Sequence, residues 1–241
     1  LTKDFNLKNI SQVSWLKWEE IENPATYDME LLRNTYAIAG CDLSSVADLT
    51  CATLLIRRRE DDTIYVLQHY FLPEARIEEL DAKSSKEAPY KKWEERGLMT
   101  FCKGEMVQYS DVTAWYQQMK DEYQIDIWRC GYDRAMANYW VEEMKYQFGD
   151  VMEAVAQGSK TWTVPMKELG AMLAEHKINY NNNTILKWCL SNTAVKTLGS
   201  LESIEPVKIT RKRRIDGTVS LLNAYVIYVK YRQDYLNIVE G

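Results

Sequence analysis

The sequence predicts an α/β domain in which a mixed β-sheet is covered by helices on both faces. Strand-like apolar runs begin after about residue 33, and helix-like and strand-like segments alternate from about residue 110. Antiparallel-type strands that lead into β-α-β units are typical of such sheets. The chain has 241 residues, of which 46% are hydrophobic, and is therefore long enough for one sizeable core.

The strands of the first half are predicted from apolar runs that end in turn-forming or charged residues. NTYAIAGCDLS (34–44) breaks at an acid and serines, as a central strand followed by a turn would. TCATLLIRRRE (50–60) and TIYVLQHYFLP (63–73) are rich in β-branched and aromatic residues, and the polar EDDT that joins them indicates a hairpin. The charge-dense residues 74–104 are expected to form an excursion on one face of the sheet, with short helical patches.

The second half alternates between helical and extended patterns. The helix at 110–123 is expected to use Ser110 or Asp111 as its N-cap, and Pro165 is expected near a helix start, where proline is tolerated. The last apolar segment is hydrophobic nearly all round, which indicates a buried helix. In order, the predicted elements are a helix (110–123), a strand (125–133), a helix (134–148), a strand (151–158), a helix (164–178), a hairpin (192–213) and the buried helix (216–235).

Composition argues against several classes of protein. The net charge is −5, so any contact with nucleic acid must come from local basic patches. The five cysteines include no CxxC pair and there are only two histidines, which argues against a zinc ribbon, a disulfide framework or a histidine-rich metal site. We expect buried reduced thiols and structural histidines. No apolar run approaches the roughly 20 residues of a membrane span, so no membrane partner is expected.

Three aspartates occupy comparable positions at the ends of predicted elements. Asp42 ends the first strand, Asp133 ends the strand at 125–133, and Asp216 opens the last helix. If the first and fourth strands are neighbours, these carboxylates converge at one edge of the sheet, where they would suit hard divalent cations. Taken singly, Asp133 and Asp216 are also good helix N-caps, and Asp42 could simply close a turn.

Five blocks of sequence carry a resemblance to a known family. They are AGCDLSSVADLT (39–50), GYDRAMA (131–137), QGSKTWTVPMKELGAML (157–173), LKWCLSNTAVK (186–196) and RRIDGTVSLLNAY (213–225). By their order and spacing, residues 36 to about 230 resemble the nuclease domain of the large subunit of tailed-phage terminases, the DNA-packaging motors. The resemblance implies an RNase H-like fold and identifies Asp42, Asp133 and Asp216 as the catalytic, metal-binding acids.

The resemblance also implies a cofactor, namely two ions of Mg²⁺ or Mn²⁺. Asp42 would bridge both ions, and Asp133 and Asp216 would each complete one coordination sphere. Because coordination lowers the pKa of a bound water, no histidine base is needed. Asp48 and Asn192 are possible accessory residues. Asp48 either lies close to the site or caps or pairs elsewhere, and Asn192 is expected to orient a ligand by a hydrogen bond.

Family large subunits carry an ATPase domain before the nuclease domain, and this chain is expected to lack it. No GxxxxGK[ST] motif is present, since the GSKT that starts at Gly158 lacks the earlier glycine. Residues 1–33 are accordingly predicted to be an N-terminal arm, the remnant of an interdomain linker. Residues 34–241 are predicted to be the nuclease domain.

A basic run leads directly into Asp216. Arg211, Lys212, Arg213 and Arg214 are predicted to hold the DNA backbone on either side of the cut without reading its sequence. The alternative, a solvated hairpin end, stays open at this point. The basic residues at 57–59 are expected to add to the same positive field.

The leading functional hypothesis is a metal-dependent endonuclease that cuts concatemeric double-stranded DNA during genome packaging. The alternative is a domain that mainly grips DNA and docks on the portal protein or on neighbouring subunits, with residues 74–104 as the contact surface. A Holliday-junction resolvase is disfavoured by the blocks at 157–173 and 186–196. Expected partners are double-stranded DNA, the phage portal protein, the terminase small subunit and other large-subunit copies, in the host-cell cytoplasm.

Overall fold

A mixed sheet of seven strands forms the centre of the fold in the computed structural model. The structure describes residues 13–44, 49–59, 61–84, 88–136, 138–197, 203–211 and 213–241. Numbered along the chain, its strands are β1 (Val13–Ser14), β2 (Thr35–Asp42), β3 (Thr50–Arg58), β4 (Asp61–Pro73), β5 (Met99–Cys102), β6 (Ile125–Asp133), β7 (Met152–Val155), β8 (Ile178–Asn179), β9 (Thr193–Thr197) and β10 (Ile204–Lys208).

The strand order brings the predicted first and fourth strands side by side. The central sheet runs β5-β4-β3-β2-β6-β7, and β8 pairs with the start of β4. β3 is antiparallel to both β2 and β4, whereas β6 is parallel to both β2 and β7. The predicted mixed sheet is therefore confirmed, and the carboxyl ends of β2 and β6 lie at the same edge.

Helices cover both faces of the sheet, as predicted. One apolar cluster joins Ala39 and Cys41 of β2 to α4 and α5. Another joins Ile38 of β2 to α6, α8 and α9, because successive side chains of a strand point to opposite faces. The helices are α1 (Trp18–Ile21), α2 (Ile77–Ser84), α3 (Tyr90–Glu95), α4 (Tyr109–Tyr123), α5 (Asn138–Phe148), α6 (Ser159–Ala174), α7 (Thr184–Ser191), α8 (Asp216–Lys230) and α9 (Arg232–Glu240).

The buried helix α8 lies directly on the backbone of β2 and β6. A Cβ atom built on Gly40 of β2 would stand 2.4 Å from the carbonyl oxygen of Ser220, and one built on Gly131 of β6 would stand 2.4 Å from that of Asn223. Both distances are well inside van der Waals contact. Only glycine therefore allows this approach of helix to strand at these two positions.

A second sheet of three strands contains the predicted hairpin. β9 and β10 are antiparallel, and β1 pairs with the other edge of β9. The described part of the predicted N-terminal arm thus packs on the domain, with Ile21 and Leu32 buried. The assignment of residues 1–33 to an interdomain linker, and of 34–241 to the nuclease domain, stays a prediction.

The charge-dense excursion contributes an edge strand that the sequence analysis missed. β5 pairs in parallel with the end of β4, so that Tyr70 faces Met99. The expected helical patches are α2 and α3, and Tyr90 and Trp93 of α3 are buried against this edge. The excursion therefore widens the sheet as well as covering it.

The start of α4 differs from its predicted position. The helix begins at Tyr109 after Gln108, whose side chain makes no capping bond. The amide of Asp111 donates to the Gln108 carbonyl oxygen at 2.9 Å, so the first turn already includes this residue. The predicted N-cap at Ser110 or Asp111 is therefore wrong.

The start of α6 is also earlier than predicted. The helix begins at Ser159, and Pro165 lies inside it rather than near its first turn. Proline lacks the amide hydrogen that would continue the backbone ladder. Thr163 Oγ1 donates to the Ser159 carbonyl oxygen at 2.5 Å, which adds a side-chain bond to the same turn.

The cysteines and His69 match the structural roles expected of them. All five cysteines are buried and free. Burial lowers the pKa of His69 to about 4, and its Nε2 atom lies 2.8 Å from Thr100 Oγ1, so a neutral ring joins β4 to β5. Within the described ranges, every helix falls short of the length and hydrophobicity that crossing a bilayer requires.

We predict that Gly40→Ala lowers the free energy of unfolding by at least about 2 kcal/mol, because the new methyl group forces α8 away from β2. Urea denaturation of the two proteins measures the change. Gly170→Ala in α6 is the matched control. Its Cβ would meet side-chain atoms rather than backbone, those of Trp15 at 3.2 Å and Leu16 at 3.6 Å, so a change of less than about 1 kcal/mol is expected. Equal losses in the two variants would contradict the role given to the Gly40 contact.

Candidate active site

Asp42 and Asp133 lie side by side at one edge of the sheet. Cys41 of β2 pairs with Tyr132 of the parallel strand β6, so the next residue of each strand is one of these aspartates. Asp42 also faces Cys51 at the start of β3. The convergence predicted for the first and fourth strands is thus present.

Asp216 reaches the same edge from the first turn of α8. The contact of Ser220 with Gly40 fixes the helix over β2, and Asp216 lies one turn earlier, towards the end of that strand. Only 5% of Asp216 is exposed. The structure therefore brings the three predicted acids to one place.

The charges of Asp133 and Asp216 act on Asp42. Burial raises the pKa of Asp42 well above its usual range, and the charges of Asp216 and Asp133 raise it further. Burial likewise raises the pKa of Asp216, while Lys208 and Arg214 oppose that shift. The site thus gathers carboxylates at an edge where Asp216 is buried and Asp42 and Asp133 are half-buried.

One carboxylate oxygen of Asp216 lacks a hydrogen-bond partner. Among the described residues, its Oδ2 atom is buried and accepts no hydrogen bond. A buried carboxylate oxygen left in this way is costly unless a positive charge or a donor reaches it. Clustered carboxylate oxygens that need positive charge form the donor set preferred by hard divalent cations.

The acids do not form a closed cage around one ion. In the part of the chain that the structure describes, no group of three or more His, Cys, Asp or Glu side chains is arranged so that it could hold a metal ion. Two ions that share a bridging carboxylate need fewer protein ligands each, because waters and phosphate oxygens complete each coordination shell. The donor set fits an open centre rather than a structural metal site.

Helix capping accounts for one of the three acids in part. Asp133 Oδ1 accepts from the Ala135 amide at 3.0 Å and so caps the short 3₁₀ turn Arg134–Met136. Asp216, in contrast, is the first residue of α8 and follows the N-cap residue Ile215, which makes no side-chain capping bond. The capping alternative is therefore wrong for Asp216.

The turn after Asp42 is closed by other residues. Ser44 is tied to Thr50, whose Oγ1 atom accepts from the Ser44 amide at 3.0 Å and donates to its carbonyl oxygen at 2.7 Å. Asp42 is thus not required to close this turn. The possible accessory residue Asp48 lies outside the described residues.

Asn192 acts on the backbone that leads to Asp216. Its Nδ2 atom donates to the Arg214 carbonyl oxygen at 3.1 Å, and its own carbonyl accepts from the Ile209 amide at 2.9 Å. Asn192 itself is buried. These bonds tie the end of α7 to the segments on either side of the basic run, so Asn192 supports Asp216 indirectly.

The basic run differs from residue to residue. Arg211 is exposed, whereas Arg213 and Arg214 are half-buried. Arg214 lies close enough to Asp216 for the carboxylate to raise its pKa, although burial lowers that pKa more. Lys212 lies outside the described residues. A purely solvated hairpin end does not account for Arg214.

The arginines at 57–59 are at the opposite end of the sheet, so the expectation that they add to the field of the site is wrong. β3 runs antiparallel to β2: Asp42 faces Cys51, whereas Ala37, near the start of β2, faces Ile56. The residues concerned are Arg57, Arg58 and Arg59.

Lys208 is a site residue that the sequence analysis missed. It ends β10, and its charge acts on both Asp42 and Asp216. In the sequence it is one of several basic residues between 208 and 214. Only the pairing register of the hairpin distinguishes it, and that register cannot be counted from the sequence alone.

The sequence as a whole matches a family model. The model for the terminase large subunit, endonuclease domain, matches residues 1–230. The terminase large subunit of Lactococcus phage p2 is 24% identical over 202 residues, which cover 82% of this chain and 36% of that protein. The chain spans between 35% and 46% of the length of the curated relatives that it matches.

Solved structures share the fold. The large terminase of bacteriophage HK97 aligns with a TM-score of 0.75 at 19% identity, over 90% of this chain and 44% of that one. The large terminase nuclease from thermophilic phage G20c with bound magnesium aligns with a TM-score of 0.54 at 13% identity, over 88% of this chain and 96% of that one. The fold is RNase H-like, as the sequence analysis predicted.

We predict that Asp42→Asn raises the stability of the protein in EDTA by about 1–2 kcal/mol, because it removes a charge that its neighbours repel. The same change should abolish stabilisation by Mn²⁺. Thermal unfolding in EDTA and in MnCl₂ measures both effects. Asp150→Asn, in the exposed turn before β7, is the control and should behave as the wild type. A loss of stability for Asp42→Asn in EDTA would contradict the repulsion inferred here.

Proposed function

Because this chain belongs to the family of terminase large-subunit endonuclease domains, we propose that it cuts double-stranded DNA during genome packaging by a two-metal-ion mechanism. The observation that carries the proposal is the meeting of Asp42, Asp133 and Asp216 at one edge of the sheet, where burial and mutual repulsion leave carboxylates short of positive charge. Such carboxylates on rigid elements are the usual setting for phosphodiester hydrolysis.

Each acid has a distinct place in the proposed centre. Asp42 feels the charge of both other acids, which favours it as the shared ligand of two Mg²⁺ or Mn²⁺ ions. Asp133, at the end of β6, and Asp216, in the first turn of α8, would each hold one ion. When bound, the ions lower the pKa of an attacking water and stabilise the oxygen that leaves. A related nuclease, that of phage G20c, has been solved with bound magnesium.

The basic run supplies the proposed DNA contacts. Arg211 is exposed and Arg213 is half-buried, and Arg214 lies close enough to Asp216 for the two charges to interact. These side chains would hold the phosphates beside the cut and orient the scissile bond over the acids. Phosphate contacts of this kind position DNA without reading its sequence.

The relatives of this domain are longer proteins, and their extra length suggests further partners. Since the chain spans less than half of those relatives, we propose that portal protein, terminase small subunit and other large-subunit copies meet the complete protein in the host cytoplasm. If the domain instead mainly grips DNA and docks on its partners, we expect it to bind DNA without cleaving it.

We predict that Asp133→Asn reduces metal-dependent cleavage of plasmid DNA by more than about 100-fold, because loss of a direct ligand should cost more than loss of a residue that only orients one. The measurement is nicking and linearisation in MgCl₂, MnCl₂ or EDTA. Asp126→Asn is the matched control: Asp126 lies on the same strand near its other end and pairs with Lys120 at 3.1 Å.

Three outcomes of that experiment are informative. Cutting that needs the cation and fails only in the Asp133 variant would support the proposal. Cutting that persists in both variants would contradict the assignment of Asp133. A folded protein that binds Mn²⁺ and DNA but never cuts would favour the gripping and docking function.

We predict that Arg213→Ala weakens binding of duplex DNA at every sequence and lowers the salt dependence of binding by about one unit, because one phosphate contact is lost. Fluorescence anisotropy at several NaCl concentrations in Ca²⁺, without turnover, measures both quantities. Arg59→Ala, at the opposite end of the sheet, is the control and should leave the salt slope unchanged. Equal effects of the two changes would contradict a DNA path along the basic run.

A further inference from the structure

Lys208 is the last residue of β10, and the hairpin register determines where its side chain points. Lys208 is directly opposite Thr193 of β9, and residues opposite one another in an antiparallel pair share a face. The hydroxyl groups of Thr193 and Thr218 are hydrogen-bonded at 3.0 Å. The face that carries Lys208 is therefore the face turned towards the first turn of α8, which holds Asp216.

The other face of the hairpin carries an ordinary ion pair. Lys196 of β9 is opposite Glu205 of β10, and their side chains are joined by a 3.0 Å contact between Nζ and Oε1. Side chains alternate along a strand, so Glu205 and Lys208 lie on opposite faces. Pro206, which shares the Lys208 face, is buried.

The backbone around Lys208 is fixed to the same elements as the acids. The next residue, Ile209, donates its amide to Asn192, and Asn192 donates to the Arg214 carbonyl, two residues before Asp216. The charge of Lys208 lowers the pKa of both Asp42 and Asp216. Position and charge thus direct this one cation at the carboxylates that repel each other.

We propose that the Lys208 ammonium group is the built-in countercharge of Asp42 and Asp216: it offsets their repulsion in the metal-free protein and weakens the binding of divalent cations. This inference rests on the proposed metal site. A fixed positive charge near two carboxylates stabilises them but also repels an incoming Mg²⁺ or Mn²⁺. Lys208 is a positioning residue in this proposal, because it acts on the reaction only through the acids.

The test is a titration with MnCl₂, followed by calorimetry, and thermal unfolding in EDTA and in saturating MnCl₂. Lys208→Met should bind Mn²⁺ about tenfold more tightly than the wild type. It should also unfold at a lower temperature in EDTA, and Mn²⁺ should remove that deficit. Lys208→Arg, which keeps the charge, should resemble the wild type in both measurements.

Lys196→Met is the matched control on the neighbouring strand. It should leave the Mn²⁺ affinity unchanged, and any loss of stability should be the same with and without Mn²⁺. Unchanged or weaker Mn²⁺ binding by Lys208→Met would overturn the countercharge proposal. If Lys208→Met does not fold in EDTA but folds with Mn²⁺, the proposal is supported; if it folds in neither, Lys208→Gln replaces it with the same criteria.

The failure of the proposed function has a different signature. A wild-type protein that binds no Mn²⁺, together with an Asp42→Asn variant that unfolds at the same temperature as the wild type, would count against the metal site itself. In that case an unchanged unfolding temperature of Lys208→Met in EDTA would also overturn the countercharge. If Lys208→Met binds Mn²⁺ although the wild type does not, the countercharge proposal is supported.

Discussion

The contact between α8 and the bare backbone of two strands sets the height of Asp216 above the sheet. Gly40 and Gly131 leave no side chain between helix and strand, and the carbonyl oxygens of Ser220 and Asn223 occupy that space. A methyl group at either glycine would lift the helix. Because Asp216 lies in the first turn of this helix, such a shift would move it relative to Asp42 and Asp133.

Hydrogen bonds fix how α8 is turned about its own axis. Ser220 Oγ lies 2.6 Å from Thr53 Oγ1, and Asn223 Nδ2 donates to the Cys41 carbonyl oxygen at 2.9 Å. Gln68 Nε2 donates to the carbonyl oxygen of Gly217 at 2.8 Å. These bonds reach β2, β3 and β4, so the helix can neither rotate nor slide without leaving buried polar groups unpaired.

Much of this fold follows from local patterns, whereas the electrostatic surroundings of the site do not. Strand and helix ends could be predicted for Asp42 and Asp133, because an apolar run that stops at an acid is a local signal. The distances of Lys208 and of the arginines at 57–59 from the site depend instead on the direction of each strand and on its pairing register. Pro165 was misplaced because the helix begins at Ser159, more than one turn before the proline, and no strong local start signal marks that residue.

The chain order of the three acids has a consequence for biosynthesis. Asp42 and Asp133 end strands of the first half and the middle of the chain, but Asp216 arrives only with α8, near the end of the described sequence. A ribosome-bound chain that has not yet released α8 therefore has two of the acids and lacks the glycine-packed helix that brings the third. A truncated or stalled product that ends before α8 would consequently lack the complete acidic edge.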